Sequence, residues 1–551
     1  MGSRSISEDN ATLLSIVDER AHTDPDRLYG ASTWIGEDGK LKLRKITYHN
    51  LADAVNRCAQ WLDTRFRKST DFTTLAYAGN ADYRYLIVTM AAAKTGHKAL
   101  LLAPWNPPVA QLKLLEECNC SIFLAAEDSS MVQREMKAIM LQRTMQTHQF
   151  PTLDWLLDGP DAPFYPFDKT LDEVREQDYV IIHTSGSTGH PSPMTYKYGA
   201  MAALKYLARP REILSEAPTT NIKEVWSNRC HWMALPPCHM GGVLGLGPFN
   251  IYWNMPMILS PGDRPITADI AAQIFSEDVC EAAFIPPAYL HALSRDPSQL
   301  ETIRKLKHVL WVGAPWTSSE NADAIRARAE IQPAYGSSEA GPFAMILGDQ
   351  EDYAWTHFHP VMGATLRHFS EDLHELVLEK DSKIAKAQFV FQNFPHLAEW
   401  ATKDLFSRHP TRDDLWRFRG RKDDITVLAN GRNIEPGLME GSVAAHPKVK
   451  AALLCGSGKT MTSLLVEATE PPGSAEESAR LVQEIWPIVE SANEVINAHG
   501  RVQKPLILFA TKEKPFMRAG KGSVQRSMTV KAYEQELEEL FRAAEKDLEE
   551  S

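Results

Sequence analysis

Short apolar runs alternate with amphipathic stretches along the N-terminal half of the chain. Between residues 73 and 126 this pattern predicts strands at Thr73–Tyr77, Lys98–Leu102 and Ile122–Ala125, with helices at Asp82–Thr95 and Pro108–Cys118. Short β-branched or aliphatic strands separated by helices are typical of a parallel sheet with helical crossover connections. This segment therefore predicts a doubly wound α/β unit.

The same rhythm returns after residue 280 of the chain. It predicts strands at Ala283–Ile285 and Val309–Val312 and helices at Ala288–Leu293 and Ser319–Ala329. These elements indicate a second doubly wound unit.

A β-rich portion and a smaller domain are expected after these two units. Strands are predicted at Glu375–Leu378 and Gln388–Phe391, and the charged passage from Arg408 to Asp424 is a candidate hinge. Beyond it the pattern predicts a compact α+β unit: helix Gly437–Ala445, strands Lys450–Leu454 and Leu464–Ala468, helix Ala475–Asn497, strand Pro505–Phe509 and one amphipathic helix Thr529–Glu550. The expected fold class is α/β, with a large N-terminal domain (residues 1–420) and a small, mobile α+β domain (421–551).

Composition and charge narrow the classes of partner. The 551 residues are 44% apolar and 24% charged, as in globular proteins, and the net charge is −12. An acidic balance argues against nucleic acid or an anionic membrane as the main partner. The sequence has no run of about 18 apolar residues and a polar N-terminus without a signal peptide. Seven irregularly spaced cysteines fit a reducing compartment, so a cytoplasmic location is expected.

The first candidate binding site, for phosphate, is the predicted buried strand Tyr179–His183 and the turn after it, Thr184-Ser185-Gly186-Ser187-Thr188-Gly189. Glycines let backbone N–H groups approach a phosphate, and hydroxyls donate hydrogen bonds to its oxygens. An ordinary surface loop is the alternative interpretation, because serine and glycine are common in loops.

Three later segments raise the probability of a nucleotide site. Tyr335-Gly336-Ser337-Ser338-Glu339 offers an aromatic ring for adenine stacking and a carboxylate for Mg²⁺. Asp404 and Gly420-Arg421-Lys422-Asp423-Asp424 offer a carboxylate for ribose hydroxyls and cations for phosphate. Arg518-Ala519-Gly520-Lys521-Gly522-Ser523 holds a lysine between glycines, a mobile point charge. Each segment alone could equally be an exposed turn.

Together and in this order, these segments resemble the adenylate-forming superfamily of acyl-CoA synthetases, luciferases and peptide-synthetase adenylation domains. The resemblance covers the chain from about Leu13 to Arg526. It is strongest to the adenylation domain of fungal peptide-synthetase-like enzymes, including carboxylic acid reductases. The segments Thr23–Arg27, Leu415–Asp424 and Gly520–Arg526 look like that subgroup.

The resemblance implies a role for each segment. Thr184, Ser185, Gly186, Ser187, Thr188 and Gly189 would hold the ATP phosphates. Tyr335, Gly336, Ser337 and Ser338 would contact adenine and the α-phosphate, Glu339 would bind Mg²⁺, and Asp404 and Arg421 would bind ribose and nucleotide. Asp423 would be the hinge, and Lys521 would bridge the substrate carboxylate and the α-phosphate. After rotation of the small domain, a phosphopantetheine thiol would accept the acyl group.

The acid pocket is expected around Pro236–Gly242, with His239 beside the carboxylate and Phe284, Ile285, Gly313, Ala314 and Pro315 as apolar walls. Amino-acid-activating relatives usually carry an aspartate in the first of these segments, and none is present here. A buried ammonium would lack its partner, so an aryl or other non-amino acid is favoured.

Two departures from the family pattern stand out. Ser192 occupies the position of the usual loop lysine, which either weakens the phosphate contact or shifts it to Lys197, while Lys521 is expected to carry the essential charge. Ser338 replaces a threonine and keeps the hydroxyl.

Several alternatives stay open. A zinc site at Cys230-His231 and Cys238-His239 has no common finger spacing, and Gly456–Thr460 fits a turn between strands better than a Walker loop. Ser192 motivates a nucleotide-binding relic, and a free-standing acyl-CoA ligase is the main alternative enzyme. The chain has no carrier serine motif and no reductase dinucleotide loop. The preferred hypothesis is the adenylation portion of a larger protein in which a carrier domain and a reductase domain follow.

Overall fold

The computed structural model describes residues 7–184, 191–216, 222–313, 319–429, 432–496, 500–518 and 524–550. The helices are α1 Leu13–Thr23, α2 Tyr48–Phe66, α3 Arg84–Lys94, α4 Pro108–Glu117, α5 Ser130–Met140, α6 Leu153–Asp158, α7 Leu171–Val174, α8 Tyr198–Leu207, α9 Pro210–Ile213, α10 Ile222–Trp226, α11 Met240–Leu244, α12 Asn250–Trp253, α13 Ala268–Ser276, α14 Pro287–Ser294, α15 Pro297–Thr302, α16 Ser319–Arg326, α17 Phe389–Asn393, α18 Gly437–Ala444, α19 Ala475–Val495, α20 Arg526–Ala532 and α21 Glu534–Glu550.

The strands are β1 Leu28–Ile35, β2 Leu41–Thr47, β3 Thr74–Ala78, β4 Lys98–Leu101, β5 Ile122–Ala126, β6 Gln146–Phe150, β7 Asp178–Thr184, β8 Ser192–Lys197, β9 His231–Met233, β10 Met257–Ile258, β11 Ala282–Ile285, β12 His308–Trp311, β13 Glu330–Pro333, β14 Gly336–Ser337, β15 Gly341–Pro342, β16 Met345–Ile346, β17 His357–Phe358, β18 Ala364–Ser370, β19 Leu373–Glu379, β20 Glu399–Arg408, β21 Trp416–Arg421, β22 Thr426–Val427, β23 Asn433–Ile434, β24 Val449–Cys455, β25 Thr462–Ala468 and β26 Val502–Phe509.

Helix starts follow from local sequence. Thr12 and Thr47 precede α1 and α2, and their hydroxyls accept hydrogen bonds from the backbone N–H groups of Ser15 and Asn50 at 3.2 Å. The side chains of Ser15 and Asn50 bond back to the two threonine N–H groups. These reciprocal caps satisfy donors that a helix start leaves unpaired.

Two largely parallel sheets form the large domain, and this confirms the predicted α/β class. Sheet one has six strands in the order β6-β5-β3-β4-β7-β8, with only its edge strand β8 antiparallel. Sheet two has seven strands in the order β13-β12-β11-β9-β10-β1-β2, with only β2 antiparallel. A four-stranded antiparallel sheet, β18-β19-β20-β21, is the β-rich portion.

The inner faces of the two large sheets share one core. Tyr77 and Leu101 of sheet one belong to the same buried cluster as Met257 and Leu310 of sheet two. The Tyr83 hydroxyl donates a hydrogen bond to the Met257 carbonyl at 2.6 Å. Helices cover the outer faces, each over a separate buried cluster. The carboxyl ends of the strands in both sheets are therefore held by a single packed core.

The C-terminal domain has its own core on both faces of its three-stranded sheet, β24-β25-β26. Leu454 and Leu464 pack under α18 and α19 on one face, and Leu465 packs with Tyr533 and Phe541 on the other. Gly456–Thr460 connects β24 to β25, so the predicted turn is confirmed.

Two element predictions are wrong. Gln388–Phe391 was expected to be strand, but Phe389–Asn393 is helix α17, and Phe389, Val390 and Phe391 are all buried. An apolar run buried on all sides carries no period that separates helix from strand. The single C-terminal helix is interrupted at Tyr533, because this residue turns inward to bond the chain before the lysine segment. In the part of the chain described above, no helix is long and apolar enough to cross a membrane.

Candidate active site

The first predicted phosphate segment starts at the carboxyl end of β7. Thr184 lies opposite Ser192 in the antiparallel pair of β7 and β8. His183, just before it, accepts a hydrogen bond at Nε2 from the Ala103 N–H at 3.1 Å, and burial lowers its pKa to about 4. A neutral imidazole fixes this strand end against the neighbouring loop. Ser185, Gly186, Ser187, Thr188 and Gly189 lie outside the described residues.

A tight hairpin after β13 carries the second predicted segment. Gly336 and Ser337 pair with Pro342 and Gly341, and the Ser337 hydroxyl accepts a hydrogen bond from the Ala340 N–H at 3.0 Å. Gly341 has φ +72°, and a Cβ there would lie 2.6 Å from the Phe389 ring, so glycine is required. This rigid turn fixes the backbone on both sides of the predicted contact residues.

Tyr196 links the hairpin to the strand that follows the phosphate segment. Its hydroxyl, on β8, donates a hydrogen bond to the Ser338 carbonyl at 2.8 Å. Burial, with the nearby Glu339 carboxylate, raises the pKa of Tyr196 well above its usual value. Ser338 and Glu339 are thus held next to the β7–β8 hairpin. The sequence analysis did not identify Tyr196 as a site residue. The one signal that could have pointed to it is its position in the strand that follows the glycine-rich segment.

The Tyr335 side chain reaches Asp404 on β20. Its hydroxyl donates a short hydrogen bond to an Asp404 carboxylate oxygen. The ring packs edge-on against Phe343, Phe406 and Phe358, with centroids 4.7, 5.4 and 5.8 Å away. Edge-to-face packing favours one ring orientation. Two predicted nucleotide residues are therefore in direct contact.

Asp404 is paired across the strands with Arg421. They are opposite each other in the β20–β21 register, and Arg421 Nε lies 3.7 Å from Asp404 Oδ1. Burial raises the pKa of the Asp404 carboxyl to about 6, against the lowering influence of the Tyr335 hydroxyl and Arg421. Glu339 and Asp424 add to the rise. The carboxylate is ionised at neutral pH and becomes protonated in mildly acidic solution.

The predicted hinge residue lies just after β21. Asp423 belongs to the turn Lys422–Asp424 and forms an ion pair with Lys403 at 3.2 Å. Asp424, the next residue, lies 3.7 Å from Arg526 Nε in the C-terminal domain. The charged passage is thus partly strand, and the chain leaves the four-stranded sheet at residue 422.

Lys521 lies outside the described residues, but the chain on both sides of it is described. Arg518 and Val524 form an antiparallel bridge, and the Gln525 N–H donates a hydrogen bond to the Met517 carbonyl at 2.7 Å. The two flanks of the segment that carries the predicted lysine are therefore hydrogen-bonded to each other.

The residues predicted for the acid pocket follow adjacent strands of sheet two. His239 caps α11, and its Nδ1 accepts a hydrogen bond from the Gly241 N–H at 3.3 Å. Phe284 is on β11, and Ile285 ends that strand with its side chain in the core of the opposite face. Gly313 follows β12 with φ +87°, and a Cβ there would meet nothing within 4 Å. Ala314 and Pro315 lie outside the described residues.

The suggestion that Lys197 replaces the loop lysine is wrong. Lys197 pairs with Asp178 at the far end of the β7–β8 hairpin from Thr184, and its ammonium bonds Glu176 at 2.9 Å. Within the described ranges, no group of three or more His, Cys, Asp or Glu side chains could hold a metal ion. A single carboxylate such as Glu339 still suits Mg²⁺, which usually keeps waters and takes phosphate oxygens as ligands.

Comparison with known proteins identifies two matching families. Residues 18–369 match the AMP-binding enzyme family, and residues 423–545 match the AMP-binding enzyme C-terminal domain. The second match begins at the predicted hinge residue.

Named relatives extend over nearly the whole chain. A carboxylic acid reductase of Neurospora crassa is 30% identical over 97% of this chain, which covers 51% of that protein. An adenylate-forming reductase of Heterobasidion annosum is 25% identical, with 97% of this chain and 50% of that protein covered. The chain thus spans about half the length of these curated relatives.

Solved structures share the fold over nearly the whole chain. ATP-bound MatB of Rhodopseudomonas palustris matches with a TM-score of 0.69 at 15% identity, covering 96% of this chain and 100% of that one. The anthranilate CoA ligase AuaEII in complex with anthranoyl-AMP also gives 0.69, at 14% identity, covering 97% and 99%. At these identities the likeness shows the fold alone.

Proposed function

The chain belongs to the AMP-binding enzyme family and is an adenylate-forming ligase, and from that premise we propose that it activates a non-amino carboxylic acid with ATP and passes the acyl group to a phosphopantetheine thiol. The observation that carries the proposal is the contact between Tyr335, Asp404 and Arg421. It joins an aromatic ring from the connection between β13 and β14, a largely buried carboxylate on β20 and a guanidinium on β21. A nucleoside phosphate can be bound by an aromatic ring that stacks on the base, a carboxylate that accepts hydrogen bonds from the ribose hydroxyls and a cation that pairs with the phosphate.

Each site residue receives a role in ATP binding. Tyr335 stacks on adenine, Asp404 accepts the ribose hydroxyls, and Arg421 neutralises phosphate. Thr184 and the segment 185–189 bind the phosphates, a role supported by the Tyr196 hydrogen bond that holds the β7–β8 hairpin next to Ser338. Gly336, Ser337 and Ser338 line the α-phosphate side. Glu339 would hold Mg²⁺, and the ion would offset the charge of the phosphates.

The chemistry is an in-line displacement at the α-phosphorus. One oxygen of the substrate carboxylate forms the new P–O bond while the bond to the β-phosphate bridging oxygen breaks, and pyrophosphate leaves with that electron pair. Lys521 lies between the carboxylate and the α-phosphate and stabilises the negative charge of the transition state. His239 contacts the carboxylate and, with Phe284, Gly313, Ala314 and Pro315, orients the acid.

The acid is aryl or another non-amino acid. This rests on the residues of segment 236–242, which include no carboxylate to pair with an α-ammonium. Two curated relatives are named a carboxylic acid reductase and an adenylate-forming reductase, and each is about twice as long as this chain. A parent protein with a carrier domain and a reductase domain following residue 551 fits that difference in length.

The second step uses the small domain. We place the boundary between the large domain (1–420) and the small domain (421–551) at the turn that contains Asp423. Rotation about it removes Lys521 from the active site and presents another face of the small domain. The thiolate then attacks the acyl carbonyl, a thioester forms, and AMP leaves. This order is supported by the separate cores of the two domains.

The test is pyrophosphate release with Mg-ATP across benzoic, cinnamic, α-keto, fatty and amino acids, with hydroxylamine to capture acyl-AMP. We expect strong turnover on one aryl or keto acid and none on amino acids. Lys521→Ala should reduce the rate at least a hundredfold without changing the melting temperature, whereas Lys531→Ala, an exposed lysine of α20, should not.

Three results would count against parts of the proposal. Absence of turnover on every acid, with ATP still bound, would indicate the nucleotide-binding relic that Ser192 suggests. A wild-type rate in Lys521→Ala would remove the assigned role of that residue. Acyl transfer to free CoA at a rate equal to or above that to a carrier protein would favour a free-standing CoA ligase.

A further inference from the structure

Trp226 lies over the inner face of sheet two, at the end of α10. Its side chain is almost completely buried, at 1% exposure. The indole packs edge-on against Phe284, with centroids 6.2 Å apart and planes at 87°, and lies 5.7 Å from the His231 ring. A residue outside the predicted acid-pocket segments is therefore in contact with Phe284, one of the pocket's assigned walls.

The strand register shows where this contact lies along the sheet. Side chains on the inner face form two rows across β9, β11, β12 and β13. The row nearer the carboxyl ends is Met233, Phe284, Leu310 and Gln332; the row nearer the amino ends is His231, Ala282, His308 and Glu330. The rows are about 6.6 Å apart, because a strand rises about 3.3 Å per residue. Trp226 contacts both rows, at Phe284 and at His231.

Trp226 also borders a cavity of about 240 Å³. Trp226 lines it together with Leu310, Gln332, Gly348 and the ends of β12 and β13 at His308 and Glu330. The polar groups around it are paired, since Gln332 Nε2 donates to the Gly348 carbonyl at 2.8 Å and His308 Nδ1 lies 2.9 Å from Glu330. Trp226 thus borders both the cavity and Phe284, whereas Phe284 is not among the residues that line the cavity.

We propose that Trp226 is the end wall of the acid pocket and sets the maximum length of the acid. The inference rests on the proposed function, which assigns Phe284 and His239 to that pocket. An acid whose carboxylate is held at the carboxyl ends of the strands extends along the sheet face towards the amino ends, and it meets Phe284 and then Trp226. A buried indole in a packed core leaves no room for a longer chain. The native substrate is therefore a compact acid, about one aromatic ring long.

The experiment compares kcat/KM for benzoic, 4-butylbenzoic and 4-phenylbenzoic acid, measured by pyrophosphate release. In Trp226→Ala the pocket is expected to join the cavity. The kcat/KM for the two longer acids, relative to that for benzoic acid, should then rise at least tenfold. Gly348→Val in the same background should reverse that rise. A Cβ at residue 348 meets nothing within 4 Å, so the valine occupies cavity space. Trp232→Phe, at a buried tryptophan on the opposite face, should leave the ratio unchanged.

The outcomes separate this inference from the proposed function. A folded Trp226→Ala variant that activates benzoic acid with an unchanged ratio overturns the end wall and leaves the adenylation proposal standing. A rise that Gly348→Val does not reverse also overturns it. If none of the acids tested makes the wild-type protein release pyrophosphate, the inference and the proposed function fail together. Should Trp226→Ala not fold, Trp226→Leu carries the same test, with a smaller rise expected and a flat ratio contradicting the inference.

Discussion

Asp404 concentrates the electrostatics of the site in one carboxyl group. Its side chain is 13% exposed, accepts a hydrogen bond from the Tyr335 hydroxyl and faces Arg421. The nearby carboxylates of Glu339 and Asp424 disfavour its charged form and so raise its pKa. Burial is the largest influence and raises its pKa to about 6. In the proposed role of Asp404 the charged form accepts ribose hydroxyl groups best, so we expect the affinity for ATP to depend on this ionisation.

At the residue scale, we predict that the KM for ATP rises as pH falls through 6. Only the carboxylate accepts both ribose hydroxyls, so binding weakens about tenfold for each pH unit below the pKa of Asp404. Asp404→Asn should show a raised KM that no longer changes between pH 7.5 and 5. Asp413→Asn, an exposed carboxyl on the β20–β21 connection, should keep the wild-type profile. A flat wild-type profile would contradict the prediction.

Short elements of the small domain hold the ends of the segment that contains Lys521. Glu467 on β25, with a side chain 7% exposed, accepts a hydrogen bond from the Phe516 N–H at 3.3 Å and pairs with Arg518. The Thr529 hydroxyl of α20 accepts a hydrogen bond from the Met517 N–H at 3.1 Å. Tyr533, between α20 and α21, accepts from the Thr511 N–H at 3.1 Å. Strand β25, helix α20 and Tyr533 thus fix the chain just before the lysine.

At the element scale, Glu467→Ala should lower kcat for pyrophosphate release about tenfold, equivalent to about 1.4 kcal/mol of transition-state stabilisation. Without its two bonds, the chain before Lys521 loses its fixed position, while the apolar core of the domain is unchanged. Glu470→Ala, an exposed carboxyl just beyond the same strand, is the matched control. Equal kcat values in the two variants, with equal melting temperatures, would show that this anchoring is unimportant.

At the scale of the whole molecule, the large domain and the small domain have separate buried cores. The sheets of the large domain share one buried cluster, whereas the small domain buries its own clusters on both faces of β24–β26. The pairs close to the boundary, Lys403 with Asp423 and Lys422 with Glu375, are partly exposed. Such pairs contribute about 0–1 kcal/mol each, so they would oppose the proposed rotation only weakly.

For the whole molecule, we predict that a chain ending at Lys422 folds and binds ATP within about tenfold of the full-length affinity but releases no pyrophosphate. The four-stranded sheet and its Asp404–Arg421 pair stay complete, and Lys521 is absent. Calorimetry would measure binding, and circular dichroism would measure folding. Failure of this chain to fold, in conditions where the full chain is stable, would show that the two domains share a core after all.

Much of the fold could be predicted from sequence because local periodicity is strong. Elements β3, α3 and β4 match their predicted positions within about two residues, and the α/β class is confirmed. The prediction was wrong at Gln388–Phe391, where burial on every side removes the period, and at Tyr533, where a tertiary hydrogen bond interrupts a continuous amphipathic pattern. The candidate site residues came from motif order, and their roles stay predictions.

The sequence by itself determined the local elements, the residue types available for nucleotide chemistry and the resemblance that the family match confirms. These depend on neighbours along the chain, where spacing alone carries the information. Only the tertiary structure decided which distant groups meet: Tyr335 with Asp404, 69 residues apart, and Trp226 with Phe284. The same packing separated Lys197 from Thr184, although both are on one hairpin. Such contacts follow from strand order, register and core packing, and no local pattern in the sequence specifies them.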